Sequence, residues 1–489
     1  MAANEARILF TAGEFGSMIG AACTGNLEAA ISSVTVDSRQ VVPGSLFVAL
    51  KGERTDGHRF VVQAVEAGAS ALMVELSRRE AVMELLQSSL GPESLQHIGL
   101  VMVDASLASL QKAAREYRRR MPLYRIGVTG SSGKTTTKEC IGAVLSAAYG
   151  PDAVAMSQGN LNSDIGMALA LFSLRPEHRI GVFEMGINRM GEMDELVAMY
   201  EPDAAVITII GTAHIGMFGS REGIAKEKGR IFSAFDGRQH AFIREDDPFR
   251  EYLASLVHGR VHYFGLHATP GIESVQSLGL HGWHIRWQGC DIRFPLPGMH
   301  NLLNACAALS VAHELSIAPE AASRGLSQVR PLFGRSEIRE GRITMLQDCY
   351  NANPESMAAA LEFFGNLPSE ARRILVLGSM LELGEETERA HREIGLKASR
   401  TAPSAVFLFG QEMRSAFEAL RSQGYSGFLM HTQDMDELIA AVRGLIREGD
   451  FMLIKGSRGM ALERLTEVLE AEGWIAPLSN PATGGPHAS

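Results

Sequence analysis

The chain has 489 residues, and 46 basic against 56 acidic side chains give it a net charge of −10. Its 46% hydrophobic and 21% charged content is ordinary globular usage, which excludes extended disorder, a collagen repeat and a coiled-coil rod. The acidic balance also argues against a protein that coats nucleic acid, because affinity for the phosphate backbone comes from clustered Lys and Arg. At roughly 150 residues per domain, the length predicts about three domains.

The cysteines and the N-terminus indicate a reduced, cytoplasmic protein. The five cysteines lie far apart, with no C-x-x-C pair and no histidine at zinc-finger spacing: Cys23, Cys140, Cys290, Cys306 and Cys349. The first residues, MAANEARILF, lack the apolar run of a secretory signal, and no stretch reaches the ~20 apolar residues that cross a bilayer. We therefore predict a cytoplasmic protein without membrane insertion.

The first segment mixes short strands and helices. SVTVDSR and GSLFVAL have the β-branched and aromatic content of strands, and FVVQAVEAGAS has helical spacing. SLASLQKAAREYRRRMP follows as an amphipathic helix whose last turn is basic, from Arg118 to Arg120, and which Pro122 ends. This helix end predicts the first domain boundary.

A strand from Tyr124 leads into the strongest motif in the chain. The loop that follows it ends in Gly-Lys-Thr and opens a helix that is predicted to run through Ala148. Strand, glycine loop and helix N-terminus together form a phosphate cradle, in which backbone amides, Lys134 and the Thr135 hydroxyl face phosphate and Mg²⁺. The predicted ATP-binding residues here are Gly130, Ser131, Ser132, Gly133, Lys134, Thr135 and Thr136. The general P-loop pattern requires glycine at position 128, where this chain has Val128, so the alternative of a chance Gly-Lys-Thr stays open.

Glu184 is a candidate metal carboxylate near that loop, and a histidine and a pair of lysines are further candidates for a functional role. Glu184 ends the strand IGVFE, where a P-loop enzyme usually has Asp, and His214 is predicted to end the strand run VITIIGTAHIG. Lys226 and Lys228 lie two positions apart on the predicted helix REGIAKEKGRIF. Each also has an ordinary interpretation: a solvated carboxylate, a structural histidine and a solvated lysine pair.

A second boundary follows the alanine-rich helix from Asn304 to Leu315. Pro331 and Gly334 interrupt the pattern in QVRPLFGRSEI before a strand near Ile343. The middle and last segments both alternate β-branched strands with helix-length stretches, which predicts mainly parallel sheets with helices on both faces. The predicted domains are residues 1–121, 122–330 and 331–478, followed by a tail, 479–489, that we expect to be disordered.

Taken together, these motifs resemble the Mur ligase superfamily, whose members form amide bonds at the expense of ATP in peptidoglycan synthesis. The shortened loop TGSSGKTTT is similar to the family's own version of the P-loop. The other matching segments are DSRQVVPGSLFVALKGERTDGHRF, GNLNSDIG, FEMGINRMGEM, TAHIGMFGSREGIAKEKGRIF, GMHNLLNACAA, GRSE and DCYNANPESM. The resemblance implies an α/β fold with a small mixed N-terminal domain that binds the UDP substrate. It also implies a central P-loop domain with a parallel sheet and a Rossmann-like C-terminal domain that closes on ATP and binds the amino substrate.

The segments FEMGINRMGEM, DCYNANPESM and LGSMLELGEETERAH favour the member that adds the terminal dipeptide. The reaction so implied is the addition of D-alanyl-D-alanine to UDP-N-acetylmuramoyl-tripeptide through an acyl phosphate in the cytoplasm. ATP and two Mg²⁺ ions are the implied cofactors, and a monomer is expected. Thr135, Glu184, His214 and a carbamylated Lys228 match the family's metal ligands; a carbamate is an anionic oxygen ligand that suits Mg²⁺, whereas an ammonium would repel it.

The resemblance also implies roles for residues outside the loop, and each has an ordinary alternative in helix capping, turn formation or solvation. Catalytic roles fall on Lys134, Glu184, His214 and Lys228. Further ATP contacts are implied for Asn301, Asn304, Arg335 and Asp348. Substrate contacts are implied for Ser38, Arg39, Asn160, Asn162, Lys455, Ser457 and Arg458.

Two other functions stay open. A related ligase that adds a single amino acid, including a folate-type polyglutamate ligase, would be favoured by a DNPR motif or by loss of the DSR region, and the sequence has neither feature. A P-loop switch that uses nucleotide only to change conformation would have no need of His214 and Lys228 beside Glu184.

Overall fold

The structure is a computed structural model that describes residues 7–52, 55–159, 161–368 and 370–477. The strands are β1 Phe10–Thr11, β2 Ala22–Gly25, β3 Ala30–Ile31, β4 Ser33–Thr35, β5 Ser45–Val48, β6 Ala69–Glu75, β7 Gly99–Val103, β8 Tyr124–Thr129, β9 Val154–Met156, β10 Ile180–Glu184, β11 Ala204–Ile207, β12 His240–Arg244, β13 Arg260–Phe264, β14 Ile272–Ser277, β15 Trp283–Trp287, β16 Cys290–Phe294, β17 Glu337–Glu340, β18 Thr344–Asp348, β19 Arg373–Gly378, β20 Ala405–Phe409, β21 Phe428–Thr432 and β22 Phe451–Lys455.

The α-helices follow the predicted alternation with strands. They are α1 Ala12–Ile19, α2 Val61–Glu66, α3 Arg79–Leu95, α4 Ser106–Arg119, α5 Lys134–Tyr149, α6 Asp164–Leu171, α7 Glu192–Tyr200, α8 Ile215–Phe218, α9 Arg221–Gly229, α10 Arg250–Ser255, α11 Met299–Glu314, α12 Pro319–Ser327, α13 Pro354–Asn366, α14 Thr387–Ser399, α15 Arg414–Ser422, α16 Met435–Leu445 and α17 Glu463–Ala471.

The chain divides into two compact units. The first contains residues 1–125, 155–185 and 194–201, and the second contains 126–154, 186–193 and 202–489. The three predicted domain ranges stay predictions, and Asn160 and the tail 479–489 lie outside the described residues.

The first unit contains a five-stranded sheet in the order β2-β7-β6-β5-β4. β4, β5, β6 and β7 run parallel to their neighbours, and β2 pairs with β7 antiparallel. The predicted mixture of strands and helices is confirmed, because β4, β5 and α2 lie in the predicted segments. Phe47, Val61 and Leu72 belong to its buried core. These three side chains come from β5, α2 and β6, so the core forms between a predicted helix and the strands beside it.

In the second unit, β11 lies between β8 and β12, and β13 pairs with β12; all these pairs are parallel. Val206 pairs with Val128, and both side chains are fully buried. Because carboxyl ends of parallel strands share one edge of a sheet, the loop after β8 and the residues after β11 emerge side by side. A separate antiparallel sheet, β14-β15-β16, follows in the chain.

The last third of the chain forms a six-stranded sheet in the order β17-β18-β22-β19-β20-β21. Only the β17–β18 pair is antiparallel, as the strand–helix alternation predicted for a mainly parallel sheet. The register places Asp348, the last residue of β18, opposite Lys455, the last residue of β22. Two residues that are 107 positions apart therefore meet at one strand edge.

Several local predictions can be checked directly. The α4 helix and the strand from Tyr124 are confirmed, and the helix after the loop ends at Tyr149, one residue beyond Ala148. The prediction that a strand extends to His214 is wrong, because β11 ends at Ile207 and His214 adopts a left-handed conformation with φ of 64°. All five cysteines are free. In the described part of the chain, helices that are both long and apolar enough for a bilayer are absent.

Candidate active site

The phosphate loop lies between β8 and α5, as the sequence predicted. Gly130 has φ of 147° and Gly133 has φ of 81°, and Gly133 is the residue that precedes the first turn of α5. An L side chain is strained at such positive φ, so the two glycines allow the backbone to turn inward. The Ser131 amide donates to the Ile209 carbonyl oxygen over 2.8 Å, which joins the loop to the segment after β11.

Lys134 folds back over this loop. Its Nζ donates to the Gly130 carbonyl oxygen over 3.0 Å. Thr135 follows in the first turn of α5 with only 7% of its surface exposed. A helix N-terminus with a lysine above it concentrates positive potential, so the loop has the features of an anion site.

Two side-chain hydroxyls join the loop to the segment after β11, and the sequence predicted neither contact. Thr208 Oγ1, after β11, donates to the Ser132 carbonyl oxygen over 2.5 Å. The Ser131 hydroxyl accepts from the Gly211 amide over 2.9 Å. Thr208 lies within the quoted run VITII, but an apolar strand pattern gives no signal for a hydroxyl that faces a loop some 76 residues away.

Helix α11 brings Asn304 to the same loop, and Asn301 lies one turn before it on that helix. Asn304 Oδ1 accepts from the Thr137 hydroxyl over 3.1 Å, and a β-carbon added to Gly133 would lie 2.7 Å from that oxygen. Asn301 Nδ2 donates to the Pro297 carbonyl oxygen over 2.7 Å. Neither asparagine caps helix α11, so the capping alternative is wrong: the N-cap residue is Gly298, and no side chain caps this helix. Their role as nucleotide contacts stays a prediction.

The last third of the chain also contacts the loop region. Asn353 Nδ2 donates to the Ser131 carbonyl oxygen over 3.2 Å, and the Thr212 hydroxyl donates to Glu355 Oε2 over 3.0 Å. Asn353 and Glu355 lie in the matching segment DCYNANPESM, but the sequence predicted no role for either residue. The signal was present in that segment, but no local rule connects it to residues about 140 to 220 positions away.

His214 contacts a second residue that the sequence analysis left unassigned. Its Nδ1 lies 2.6 Å from Glu382 Oε2, and the Gly216 amide donates to the Glu382 carbonyl oxygen over 3.3 Å. The hydrogen bond to His214 holds the pKa of Glu382 below the usual range of a carboxyl group. His214 therefore makes a contact between the central segment and the last third, and its role as a metal ligand stays a prediction.

Asp348 and Lys455, which the sequence assigned to different ligands, form an ion pair. Lys455 Nζ lies 2.6 Å from Asp348 Oδ2 and also donates to the Asn351 carbonyl oxygen over 3.2 Å. Burial raises the pKa of Asp348 and the Lys455 ammonium lowers it, with a net result below the usual range. The Asp348 carboxylate also accepts from the Ser336 amide over 3.1 Å.

The other predicted residues of this part have local partners. The Arg335 guanidinium lies 4.1 Å from the centre of the Tyr350 ring. The Ser457 hydroxyl accepts from the Leu381 amide over 3.0 Å, and Arg458 Nη1 lies 2.7 Å from Glu463 Oε1. Their ligand contacts stay predictions.

The structure separates the two lysines of α9. Lys228 is 1% exposed, whereas Lys226 is exposed at the surface. Between them, the Glu227 carboxylate is fully buried and accepts from the Met193 amide over 3.1 Å. The interpretation of both lysines as a solvated pair is therefore wrong for Lys228, because that side chain is buried. Burial of a charged ammonium costs free energy, so Lys228 differs from an ordinary surface lysine.

The first unit holds its predicted residues in local networks. Arg39 donates to both oxygens of Asp37, over 2.9 and 2.8 Å, and this bond lowers the pKa of that carboxyl. The Ser38 hydroxyl donates to Gln63 over 3.0 Å. Asn162 Nδ2 donates to Glu184 Oε1 over 2.9 Å, which brings these two predicted residues together at the end of β10. Glu184 is 3% exposed, so the solvated alternative is wrong for it.

Comparison with known proteins identifies the family. Three family models match: the Mur ligase family, catalytic domain at residues 30–109, the Mur ligase middle domain at 128–312, and the Mur ligase, glutamate ligase domain at 334–458. A UDP-N-acetylmuramoyl-tripeptide--D-alanyl-D-alanine ligase of Treponema pallidum is 39% identical over 90% of this chain and 94% of its own length.

Solved structures agree with this result. A crystal structure of MurF from Acinetobacter baumannii is similar with a TM-score of 0.82 and 28% identity, and the match covers 94% of this chain and 99% of that one. MurF ligase from Thermotoga maritima, solved in complex with ADP, has a TM-score of 0.75 and 27% identity, with 90% and 97% covered. The predicted α/β fold of three domains is thereby confirmed, and the chain belongs to the Mur ligase family.

Proposed function

We propose that this protein is the ATP-dependent ligase that joins D-alanyl-D-alanine to UDP-N-acetylmuramoyl-tripeptide. The proposal rests on near full-length similarity to relatives with that printed name. The structural observation that carries it is the hydrogen bond from Asn353 to the Ser131 carbonyl oxygen. It joins the phosphate loop to the last third of the chain, which a ligase that closes over an activated intermediate requires.

The reaction proceeds through an acyl phosphate. A tripeptide carboxylate oxygen attacks the γ-phosphorus of ATP and ADP leaves; the dipeptide amine then attacks the carbonyl carbon, and phosphate and a proton leave. The enzyme must position two anions and neutralise the charge of the transferring phosphoryl group, rather than supply a nucleophile of its own. The position of Lys134 in the first turn of α5, with its Nζ on the Gly130 carbonyl oxygen, supports a role for it and the loop amides in binding the phosphates. Closure excludes water that would hydrolyse the acyl phosphate.

Mg²⁺ belongs to the proposal as the cation that would supply positive charge beside the phosphates. The Thr135 hydroxyl, at the first turn of α5, is the oxygen donor that this chain's loop supplies, and hydroxyl and carboxylate oxygens suit a hard cation. When bound, the ion lowers the negative charge that the attacking carboxylate meets. The metal-ligand roles of Glu184, His214 and Lys228 remain predictions from the family resemblance.

Carbamylation of Lys228 is also part of the proposal. The neutral amine adds to CO₂, a nitrogen–carbon bond forms, and one proton is released, which leaves an anionic carbamate. Burial supports this assignment over Lys226, because a buried amine is more easily held neutral than an exposed one. Lys228→Ala should lose nearly all turnover, and the exposed neighbour provides the matched control Lys226→Ala.

A spectroscopic measurement tests the carbamate directly. With ¹³C-labelled bicarbonate, the wild type and Lys226→Ala should both give a carbamate carbonyl signal in the NMR spectrum, and Lys228→Ala should not. A Lys228→Ala variant with full activity, or a signal that survives in it, would remove the carbamate from the proposal without affecting the ligase assignment.

The assay for the function itself is phosphate release from ATP and Mg²⁺. We expect release only when UDP-N-acetylmuramoyl-tripeptide and D-alanyl-D-alanine are both present, and not with free D-alanine, diaminopimelate or glutamate in place of the dipeptide. Release that depends on a single amino acid would show a different ligase of the same family. Release that needs no peptide would favour the nucleotide switch. The cytoplasmic location and monomeric state expected from the sequence stay proposals.

A further inference from the structure

Two histidines and a glutamate meet at a place that the ligase reaction does not use. His240 is the first residue of β12, His262 lies in the middle of β13, and Glu314 is the last residue of α11. The phosphate loop follows the carboxyl end of β8, whereas His240 stands at the amino end of a parallel strand in the same set. Glu314 is 13 residues after Asn301 on α11, or about 20 Å along a helix.

The three side chains converge through atoms that carry lone pairs. His240 Nδ1 lies 3.0 Å from His262 Nε2 and 3.2 Å from Glu314 Oε1. His262 Nε2 lies 3.6 Å from Glu314 Oε2. Two nitrogens that share a zinc ion at its usual bond length of about 2.0–2.1 Å are separated by roughly 3.3 Å in a tetrahedral site. The observed separations are therefore close to those of a metal ligand set.

The fold holds this arrangement in place. His262 pairs with Phe242 across the β12–β13 register, and residues two apart on a strand share a face, so both histidines point to the same side of the sheet. The His262 ring stacks on Phe242 at 4.9 Å and on His240 at 5.2 Å, which restricts its rotation. Helix α11 packs on β12 and β13 and carries Glu314 to the two rings.

The lone pairs and the partial exposure of these three side chains allow a cation to bind. When each imidazole carries its proton on the other ring nitrogen, His240 Nδ1 and His262 Nε2 present lone pairs toward the Glu314 carboxylate, and a divalent cation can bind all three. The His240, His262 and Glu314 side chains are 14%, 26% and 24% exposed, which leaves a path for an ion and a water molecule.

We propose that His240, His262 and Glu314 bind one late first-row divalent cation of the Zn²⁺ class, with water as a further ligand. Two imidazoles and a carboxylate suit zinc and its neighbours, whereas Mg²⁺ prefers oxygen ligands and retains its waters. The ligands of this site therefore differ in kind from those of any magnesium site that the ligase reaction uses. A bound ion would link the amino end of β12, the edge strand β13 and the last turn of α11 to one another.

The experiment uses the full chain without a histidine tag, in buffer that contains Mg²⁺. Calorimetric titration with Zn²⁺ should give one site with a dissociation constant of about 10 μM or tighter. Co²⁺ should give the visible absorption of a tetrahedral complex. His240→Gln, His262→Gln and Glu314→Gln should each weaken binding at least about tenfold, while His281→Gln, at an exposed histidine away from the triad, should not change it.

Circular dichroism and thermal unfolding of the metal-free variants check that they fold. If a histidine variant does not fold, Glu314→Gln still tests the site, because it is a nearly isosteric change at a helix end. Absence of Zn²⁺ binding at about 100 μM would overturn the proposal. So would one-site binding of unchanged affinity in the His240→Gln/His262→Gln double variant. The ligase assay plays no part in these readouts, so its outcome is independent of them.

Discussion

Asn353 Nδ2 donates to the Ser131 carbonyl oxygen over 3.2 Å, across 222 positions of sequence. The same Asn353 side chain caps helix α13, because its Oδ1 accepts from the Ser356 amide over 2.9 Å. One residue thus starts a helix in the last third of the chain and holds the phosphate loop of the middle third.

The two roles of Asn353 can be separated by substitution. Asn353→Ser keeps a capping oxygen but removes the amide donor, so we expect nearly unchanged thermal stability and a threefold to tenfold rise in the KM for ATP, on the order of one hydrogen bond. Asn353→Ala should show the same KM effect and also lose about 1 kcal/mol of stability with the cap. Phosphate-release kinetics and thermal unfolding measure the two effects. An unchanged KM in both variants would show that the contact with Ser131 does not support nucleotide binding.

Lys134→Ala should lower kcat by at least about a hundredfold, because the lysine neutralises charge on the transferring phosphoryl group. Its Nζ donates to the Gly130 carbonyl oxygen of its own loop, and we expect the variant to fold. Lys397→Ala, at an exposed position of α14, is the matched control and should keep full activity. Steady phosphate release from a folded Lys134→Ala protein would contradict the assignment of the loop.

Gly133→Ala should impair both folding and ATP binding. The new β-carbon would lie 2.7 Å from Asn304 Oδ1, at a φ of 81° that already strains an L residue. Gly449→Ala supplies the control, because Gly449 has the same φ of 81° with no atom within 4 Å of the added carbon. We expect each variant to lose about 1 kcal/mol or more through backbone strain, and only Gly133→Ala to lose ATP affinity as well. Calorimetric titration with ATP analogues distinguishes them, and equal affinities would show that the loop tolerates the contact.

Asp348→Asn should destabilise the protein by about 3–5 kcal/mol, because it leaves the Lys455 ammonium buried, 2% exposed, without its partner. The double variant Asp348→Asn/Lys455→Met should recover much of that stability, since it removes the stranded charge. Chemical unfolding of the single and double variants measures this. If Asp348→Asn alone left the free energy of unfolding unchanged, the ion pair would not stabilise the protein.

The same pair predicts a pH dependence of stability. The pKa of Asp348 is lower in the folded state than in the unfolded chain, where it is about 3.9. The unfolded state therefore binds the proton first, and the contribution of Asp348 is fully present above about pH 4 and is lost as pH falls through the lowered value. Unfolding curves at pH 7, 5, 4 and 3 should show the wild type losing its advantage over the Asp348→Asn variant only below about pH 4. A constant difference over this range would exclude the coupling.

The sequence by itself determined the features that depend on residues near one another in the chain. Glycines before a Lys-Thr pair, with a β-branched strand in front and a helix behind, fix the local backbone, so the loop and α5 were predicted to within one residue. Strand–helix alternation likewise gave the α/β class, because each pattern reflects local periodicity and burial. It failed at His214, where an apolar run continues past the strand end into a turn.

The tertiary structure decided which distant side chains meet. Sheet register puts Asp348 opposite Lys455, and the packing of helices on sheets brings Asn353 to Ser131, although no spacing rule connects residues 107 or 222 positions apart. Burial also distinguished Lys228 from Lys226, since the orientation of a helix against its neighbours is a property of the whole fold. Local sequence sets backbone conformation through short-range hydrogen bonds and sterics, whereas partners at a site depend on which hydrophobic faces pack together.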